Sequence, residues 1–162
     1  MKIPFLPAAV VTTVMLLFAF KPQPLASQLI IRHHFEALNK HDLVELAKDY
    51  AGNAKVRSAS WDGNHIGPEA VTEAYARYFH TSPDLKYTIT DVIYSDTSAV
   101  ISYTSTGTMI NLEGGSPAYM QGKRYTLNNC TVMHIKAGKI VDEATYFDQV
   151  SFLRQMDFFN QK

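Results

Sequence analysis

The side chains best placed for proton chemistry fall in one stretch, Asn128 to Met156, which reads NNCTVMHIKAGKIVDEATYFDQVSFLRQM. Asp148 stands in it just after Tyr146 and Phe147. A carboxylate with its ordinary pKa of about 4 is a weak base in water, so Asp148 could take a proton only where burial raises that value. Tyr146 and Phe147 are the neighbours that could supply such surroundings. The same position, where an alternating segment meets an amphipathic one, also suits Asp148 to cap a helix. His134 is the second candidate, a potential hydrogen-bond donor to a developing negative charge. It shares parity with Val132 and Cys130, and alternation alone leaves open whether that parity faces a pocket or the outside. His33-His34, with His41 nearby, are the only hint of a metal. Adjacent helical residues point about 100° apart, so they cannot hold one ion from a single face, and neither metal nor cofactor is expected.

These groups need elements to position them. Cys130 to Ile135 and Ile140 to Phe147 are apolar runs separated by Lys136-Ala137-Gly138-Lys139, where Gly138 can adopt the positive φ of a tight reversal; this reads as a β-hairpin. Plain alternation in its second strand puts Ile140, Asp142, Ala144, Tyr146 and Asp148 on one side and Val141, Glu143, Thr145 and Phe147 on the other. An amphipathic helix over Val150–Phe159 follows. Upstream, Gln28–Leu38 and Leu43–Ala47 have helical spacing around Asn39-Lys40-His41-Asp42, with Asp42 placed to cap the second and Glu45 to complete a capping-box-like pair. Lys55–Ser60 reads as a short strand, and Trp61 to Gly67 as a turn. Pro68 opens a helix with an aromatic face, Tyr75, Tyr78 and Phe79, for which core packing is the plain reading. Strands are expected over Lys86–Tyr94 and Ala99–Met109. Tyr103 lies in the second, whose polar residues on both faces suit the lining of a pocket. Residues 111–121 read as a loop. Helices first, then antiparallel strands, then a short helix, indicate a single α+β domain with a curved sheet covering helices on one side.

The chain has 162 residues, 46% hydrophobic and 19% charged, with a formal charge of zero, which suits one globular domain. No basic run exists to recognise nucleic acid. The amino terminus differs: Lys2, an uncharged run from Ile3 to Phe20, and then Lys21-Pro22-Gln23-Pro24-Leu25-Ala26-Ser27 form the basic, apolar and polar regions of an export signal. Residues 1–26 are therefore expected to be removed, leaving a domain over 27–162, a periplasmic or secreted location and no stable membrane insertion. An uncleaved anchor through residues 3–20 is the alternative. Cys130 is the sole cysteine, which rules out an intrachain disulfide. Asn129-Cys130-Thr131 matches a glycosylation sequon but falls inside an expected strand.

The order Gly138-Lys139-Ile140, Asp142, Tyr146, Asp148, Leu153-Arg154-Gln155 resembles the carboxyl-terminal signature of SnoaL-like proteins, the polyketide cyclases and their "ester cyclase" relatives. Phe35-Glu36-Ala37-Leu38-Asn39 with Asp42, Gly67-Pro68-Glu69, Ser82-Pro83-Asp84-Leu85, Asp91 and Thr106-Gly107-Thr108 fall in the family's order, so the resemblance spans roughly Gln28 to Met156. It implies the cone of the nuclear-transport-factor-2-like (cystatin-like) fold, with a curved antiparallel sheet wrapped around the amino-terminal helices. For Asp148 it implies acid/base work, removing a proton next to a carbonyl so that an enolate attacks within the same molecule. It also implies a partner role for His134. The chain departs from the pattern at Met109, Ser102 and Ala144, where relatives often carry histidine, arginine and tryptophan, and it lacks a histidine at Arg57 or Ser58. A roomier, more apolar pocket is expected.

Two functions follow. One is a small-molecule site with cyclase- or isomerase-type chemistry, with Asp148 and His134 catalytic and Tyr146, Tyr103, Trp61, Tyr78 and Met109 against a small apolar ligand. The other is a non-catalytic binding or interaction module, including a homodimer formed through the sheet.

Overall fold

The computed structural model describes residues 25–160 apart from Asp62 and Gly115. The expected export signal lies almost wholly outside them; Leu25 and Ala26 already form the N-cap and first residue of a helix. Among the described residues no helix is long and apolar enough to cross a membrane.

Helices α1 (Ala26–Lys40), α2 (Leu43–Lys48) and α3 (Gly67–Thr81) pack on one face of a six-stranded sheet. Its strands are β1 (Tyr50–Ser58), β2 (His65–Ile66), β3 (Lys86–Tyr94), β4 (Ser98–Thr108), β5 (Arg124–Lys136) and β6 (Lys139–Phe147), in the order β2-β1-β6-β5-β4-β3. Helix α4 (Gln149–Gln155) closes the chain's last third and lies against β5. The curved sheet is open, and the architecture is the α+β cone. One pairing departs from the antiparallel expectation. β1 runs parallel to β6, through Val56↔Glu143 and Ser58↔Thr145, because the long path through α3, β3, β4 and β5 returns the chain in the same direction. The pair of residues in β2, expected as turn, adds an antiparallel edge to β1.

Local chemistry accounts for the elements. Asp42 caps α2 by accepting from the backbone N–H groups of Val44 and Glu45, which stabilises a helix by about 1 kcal/mol. Glu45 turns instead to Lys48 and His33, so the capping box is incomplete. Pro68 sits in the first turn of α3, where its missing N–H costs nothing. The β5–β6 turn uses Ala137 and Gly138, both at positive φ (50° and 70°), the twist that suits a two-residue hairpin. Gly67 (φ 80°) is required twice over, since a Cβ there would lie 2.8 Å from the carbonyl oxygen of Gly52. It lets the chain leave β2 for α3 while pressed against β1.

The core joins Ile31, Phe35 and Leu38 of α1, Leu46 of α2, and Val71, Tyr75 and Phe79 of α3 to Val56, Ile101, Met133, Ile135 and Ile140 of the sheet. Leu153 of α4 is half-buried. Ile89 is 38% exposed, in an edge strand whose register slips between Ile89 and Asp91. A second irregularity matters more. Between His134↔Asp142 and Ile135↔Ile140 one extra residue, Val141, enters β6 as a bulge. Ile140 faces the core before it and Glu143 after it, so the simple alternation expected for this strand breaks there.

Candidate functional site

A cavity of about 570 Å³ opens between α3 and the inner face of the sheet, within the roughly 300–1,000 Å³ usual for small-molecule sites. Its walls are aromatic: Trp61, Tyr75, Tyr78, Tyr87, Tyr103 and Tyr125, with Phe147 and Phe152 towards α4. Trp61 and Tyr78 stack with ring centroids 6.1 Å apart, and Tyr75 meets Trp61 edge-on at 6.0 Å. Met109, Glu113 and Met120, from the segment between β4 and β5, border the cavity too. Glu113 is gripped by Arg77 of α3 through contacts of 2.7, 3.0 and 3.1 Å. That hydrogen-bonded guanidinium holds its carboxyl below the usual carboxylate range, so Glu113 is a fixed anion.

Behind the wall lies a buried carboxylate. Glu143, 1% exposed, accepts hydrogen bonds from Tyr50 (2.8 Å), Tyr75 (3.4 Å) and, at the limit of range, Thr145 (3.5 Å). No lysine or arginine forms an ion pair with it among the described residues. The hydroxyls continue outward: Thr145 to Thr131 at 2.7 Å and Thr131 to Tyr103 at 3.3 Å. Burial first, and the Glu143 charge second, push the Tyr50 and Tyr75 hydroxyls well above the usual phenol pKa. Burial also raises Tyr103. These phenols therefore keep their protons, and Tyr75 and Thr145 carry the chain to the cavity surface.

A second polar group lies nearer β1. Tyr78 and Ser60 share a hydrogen bond of 2.5 Å, with Ser58 in contact with Ser60 at 3.2 Å. His65 lines the cavity beside them, its ring centroid 4.5 Å from that of Trp61. At the far wall, Gly107 makes room for Tyr125, whose hydroxyl would lie 2.6 Å from an added Cβ. Tyr125 is thereby able to donate to Ser82 at 3.0 Å.

The expected site residues divide along the sheet. Trp61, Tyr78, Tyr103 and Met109 border the cavity. Asp148, His134 and Tyr146 do not: Asp148 is exposed and accepts from the Ser151 N–H at 3.0 Å as the N-cap of α4. His134 is exposed on the outer face, and Tyr146 is 57% exposed there. The bulge at Val141 is the physical reason for Tyr146, because it turns Thr145 and Phe147 inward and Tyr146 out. Parity answers for His134, since Thr131, Met133 and Ile135 take the inner positions of β5. Ser102 and Ala144 do not border the cavity either, so among the departures from the family pattern Met109 and Ser58 bear on its walls. Sequence reasoning passed over Glu143 and His65. A lone carboxylate sharing parity with Val141, Thr145 and Phe147 was the available signal for the first; nothing in the Trp61–Gly67 turn marked the second.

The chain belongs to the SnoaL-like polyketide cyclase family, whose model matches residues 28–156. Among solved structures it is similar to TsrD from Streptomyces laurentii (22% identity, 81% of this chain and 94% of that one, TM-score 0.69). It is similar also to IdmH from Streptomyces antibioticus (21%, 81% and 97%, TM-score 0.68). A third is a protein of ketosteroid isomerase-like fold from Catenulispora acidiphila DSM 44928, solved in complex with trimethylamine (16%, 78% and 91%, TM-score 0.65). At these identities the likeness is one of fold. Among curated proteins none matches the chain.

Proposed function

We propose that this protein binds a small, mostly apolar, ring-bearing carbonyl compound in the cone and carries out cofactor-free acid–base chemistry on it, of the isomerase or cyclase type. The observation that carries the reading is the aromatic cavity with two groups of hydroxyls at its surface, Tyr75 and Thr145 in front of Glu143, and Tyr78 with Ser60. Flat aromatic walls favour a flat or ring-shaped ligand, and a few placed hydroxyls fix its orientation. Trp61 is the sole tryptophan and borders the cavity, so ligand entry is expected to change fluorescence excited selectively at tryptophan. A set of bicyclic ketones titrated in this way, with thermal shift alongside, tests the reading; no response from any of them would remove it.

The second reading, a holder without turnover, draws support from the mutual pairing of Tyr103, Thr131, Thr145 and Glu143, which leaves few groups free to react. Binding without conversion of any bound ketone would favour it. We further propose export, on the strength of the Lys2 to Ser27 pattern. Mass spectrometry of the exported protein should find a chain lacking about the first 26 residues; full-length protein in the membrane fraction would favour the anchor. The outer sheet face offers a pairing surface for a second copy. Ile93, Val100 and Val132 form one cross-strand row that a two-fold-related copy would cover with the same row. Sedimentation of wild type and Val132→Glu should give dimer and monomer; a monomeric wild type would refute it.

A further inference from the structure

Acid–base work on a carbonyl compound needs a proton acceptor at the cavity surface, and Asp148 is not there. Apart from tyrosines, the ionisable side chains lining the cavity among the described residues are Arg77, Glu113 and His65. Arg77 and Glu113 are committed to each other. We infer that His65 is the catalytic base, acting through Nε2.

The geometry fixes which nitrogen is available. Nδ1 of His65 lies 3.1 Å from the carbonyl oxygen of Ala70, and a carbonyl only accepts, so Nδ1 carries the hydrogen. Nε2 is left as the basic nitrogen, with no hydrogen-bond partner among the described residues. Backbone holds the ring on both sides. His65 pairs with Val56 in the β1–β2 ladder, and Ala70 belongs to the first turns of α3, set in place by Gly67 and Pro68. Trp61 lies close enough, at 4.5 Å between centroids, to stabilise the imidazolium that proton uptake creates.

This rests on the ketone-binding reading above. The C–H bond next to the carbonyl breaks, its proton goes to Nε2, and its electron pair moves to form an enolate with the charge on the carbonyl oxygen. The Tyr78–Ser60 hydroxyl pair, which borders the same cavity, offers donors for that oxygen. The imidazolium then returns the proton to another carbon, which isomerises the molecule, or to the oxygen formed when the enolate carbon attacks a second carbonyl, which closes a ring. Atoms and charge balance without a further reactant.

The test uses 2-tetralone, a bicyclic ketone with an activated C–H, in deuterated buffer. Its binding is followed by tryptophan fluorescence and its α-hydrogen exchange by proton NMR. His65→Gln should slow protein-catalysed exchange about 10²- to 10⁴-fold while binding is largely kept, the range typical of a general base. Nitrogen NMR of the free wild-type protein should find His65 protonated at Nδ1. Exchange that is present in wild type and unchanged in His65→Gln overturns this inference and leaves the proposed chemistry standing, whereas binding with no exchange in wild type overturns the inference and favours the holder without turnover. A proton found on Nε2 also overturns the inference. Failure of 2-tetralone and the related bicyclic ketones to bind at all removes the reading and the inference together.

Discussion

Two carboxylates are buried in this fold to the same degree, Glu143 and Asp49 at 1% exposed each, and their surroundings are opposite in kind. Glu143 is met only by hydroxyls, from Tyr50, Tyr75 and Thr145. Asp49 is met by imidazoles: His33 Nδ1 at 2.6 Å and His34 Nδ1 at 3.4 Å, the latter without hydrogen-bond geometry. The chain separates the two centres by one residue, since Tyr50 serves Glu143 and its neighbour Asp49 faces α1. Phenols whose pKa is raised by burial do not titrate near neutral pH, so the Tyr50 and Tyr75 hydroxyls keep their protons across the physiological range. The Asp49 centre is reached by solvent through His33, whose side chain is 41% exposed, and its charge state follows pH. One centre backs the cavity and the other responds to pH, although both are acids in the same core.

The largest expected effect lies at the first centre. Glu143→Ala leaves two buried phenol hydroxyls without their acceptor, each costing about 1–3 kcal/mol, so the loss should reach about 2–6 kcal/mol in chemical denaturation. Glu143→Gln keeps an acceptor oxygen and should lose well under half of that. Equal losses in the two variants would mean that charge, not hydrogen bonding, holds the cluster. Next comes Asp49→Asn, which still accepts from His33 but without charge assistance. A loss of about 1–3 kcal/mol at neutral pH is expected, with ligand-induced change in Trp61 fluorescence unaffected. If ligand binding fell with it, the two centres would be one coupled network.

What the sequence made legible follows from which features are local. The Lys136-Ala137-Gly138-Lys139 turn, the Pro68 helix start, the Asp42 cap and the 86–94 strand depend on neighbouring residues and are found as expected. The family signature placed the fold. The register of β6 depends on its partners on both sides, and the bulge at Val141 has no signal within the strand's own alternation. That one residue moves Tyr146 outward and Thr145 inward. The parallel β1–β6 pairing likewise joins residues about ninety positions apart, as Val56 and Glu143 do. His65 owes its place to Gly67 and to a carbonyl five residues on, a contact legible only once α3 is packed.

A third acid gives the outward contrast. Asp148 is exposed and caps α4, and Asn is about as good a cap as Asp, so Asp148→Asn should change stability by under about 1 kcal/mol. Exchange of a bound ketone should be unaltered. A large loss of exchange with stability kept would return catalysis to the strand end and remove it from His65.

The smallest expected effect is a change of slope with pH at the second centre. Both nitrogens of His33 face carboxylates, Asp49 at 2.6 Å and Glu45 Oε2 at 3.3 Å, and carboxylates only accept, so the doubly protonated ring fits both. The hydrogen bond to Asp49, followed by the attraction of its charge and by Glu45, outweighs burial and raises the His33 pKa above 6.5. Lys48, paired with Glu45, limits the negative field. A group whose folded-state pKa is raised binds protons more tightly when folded, so its contribution is complete below pH 6.5 and is lost as pH rises through the folded value. Wild-type stability measured between about pH 5 and 8 should therefore decline across the upper part of that range, and His33→Gln should flatten the decline. Because the ring is partly in solvent, the difference should shrink in high salt. A His33→Gln curve parallel to wild type would mean that the His33–Asp49 contact does not set the pH dependence of stability.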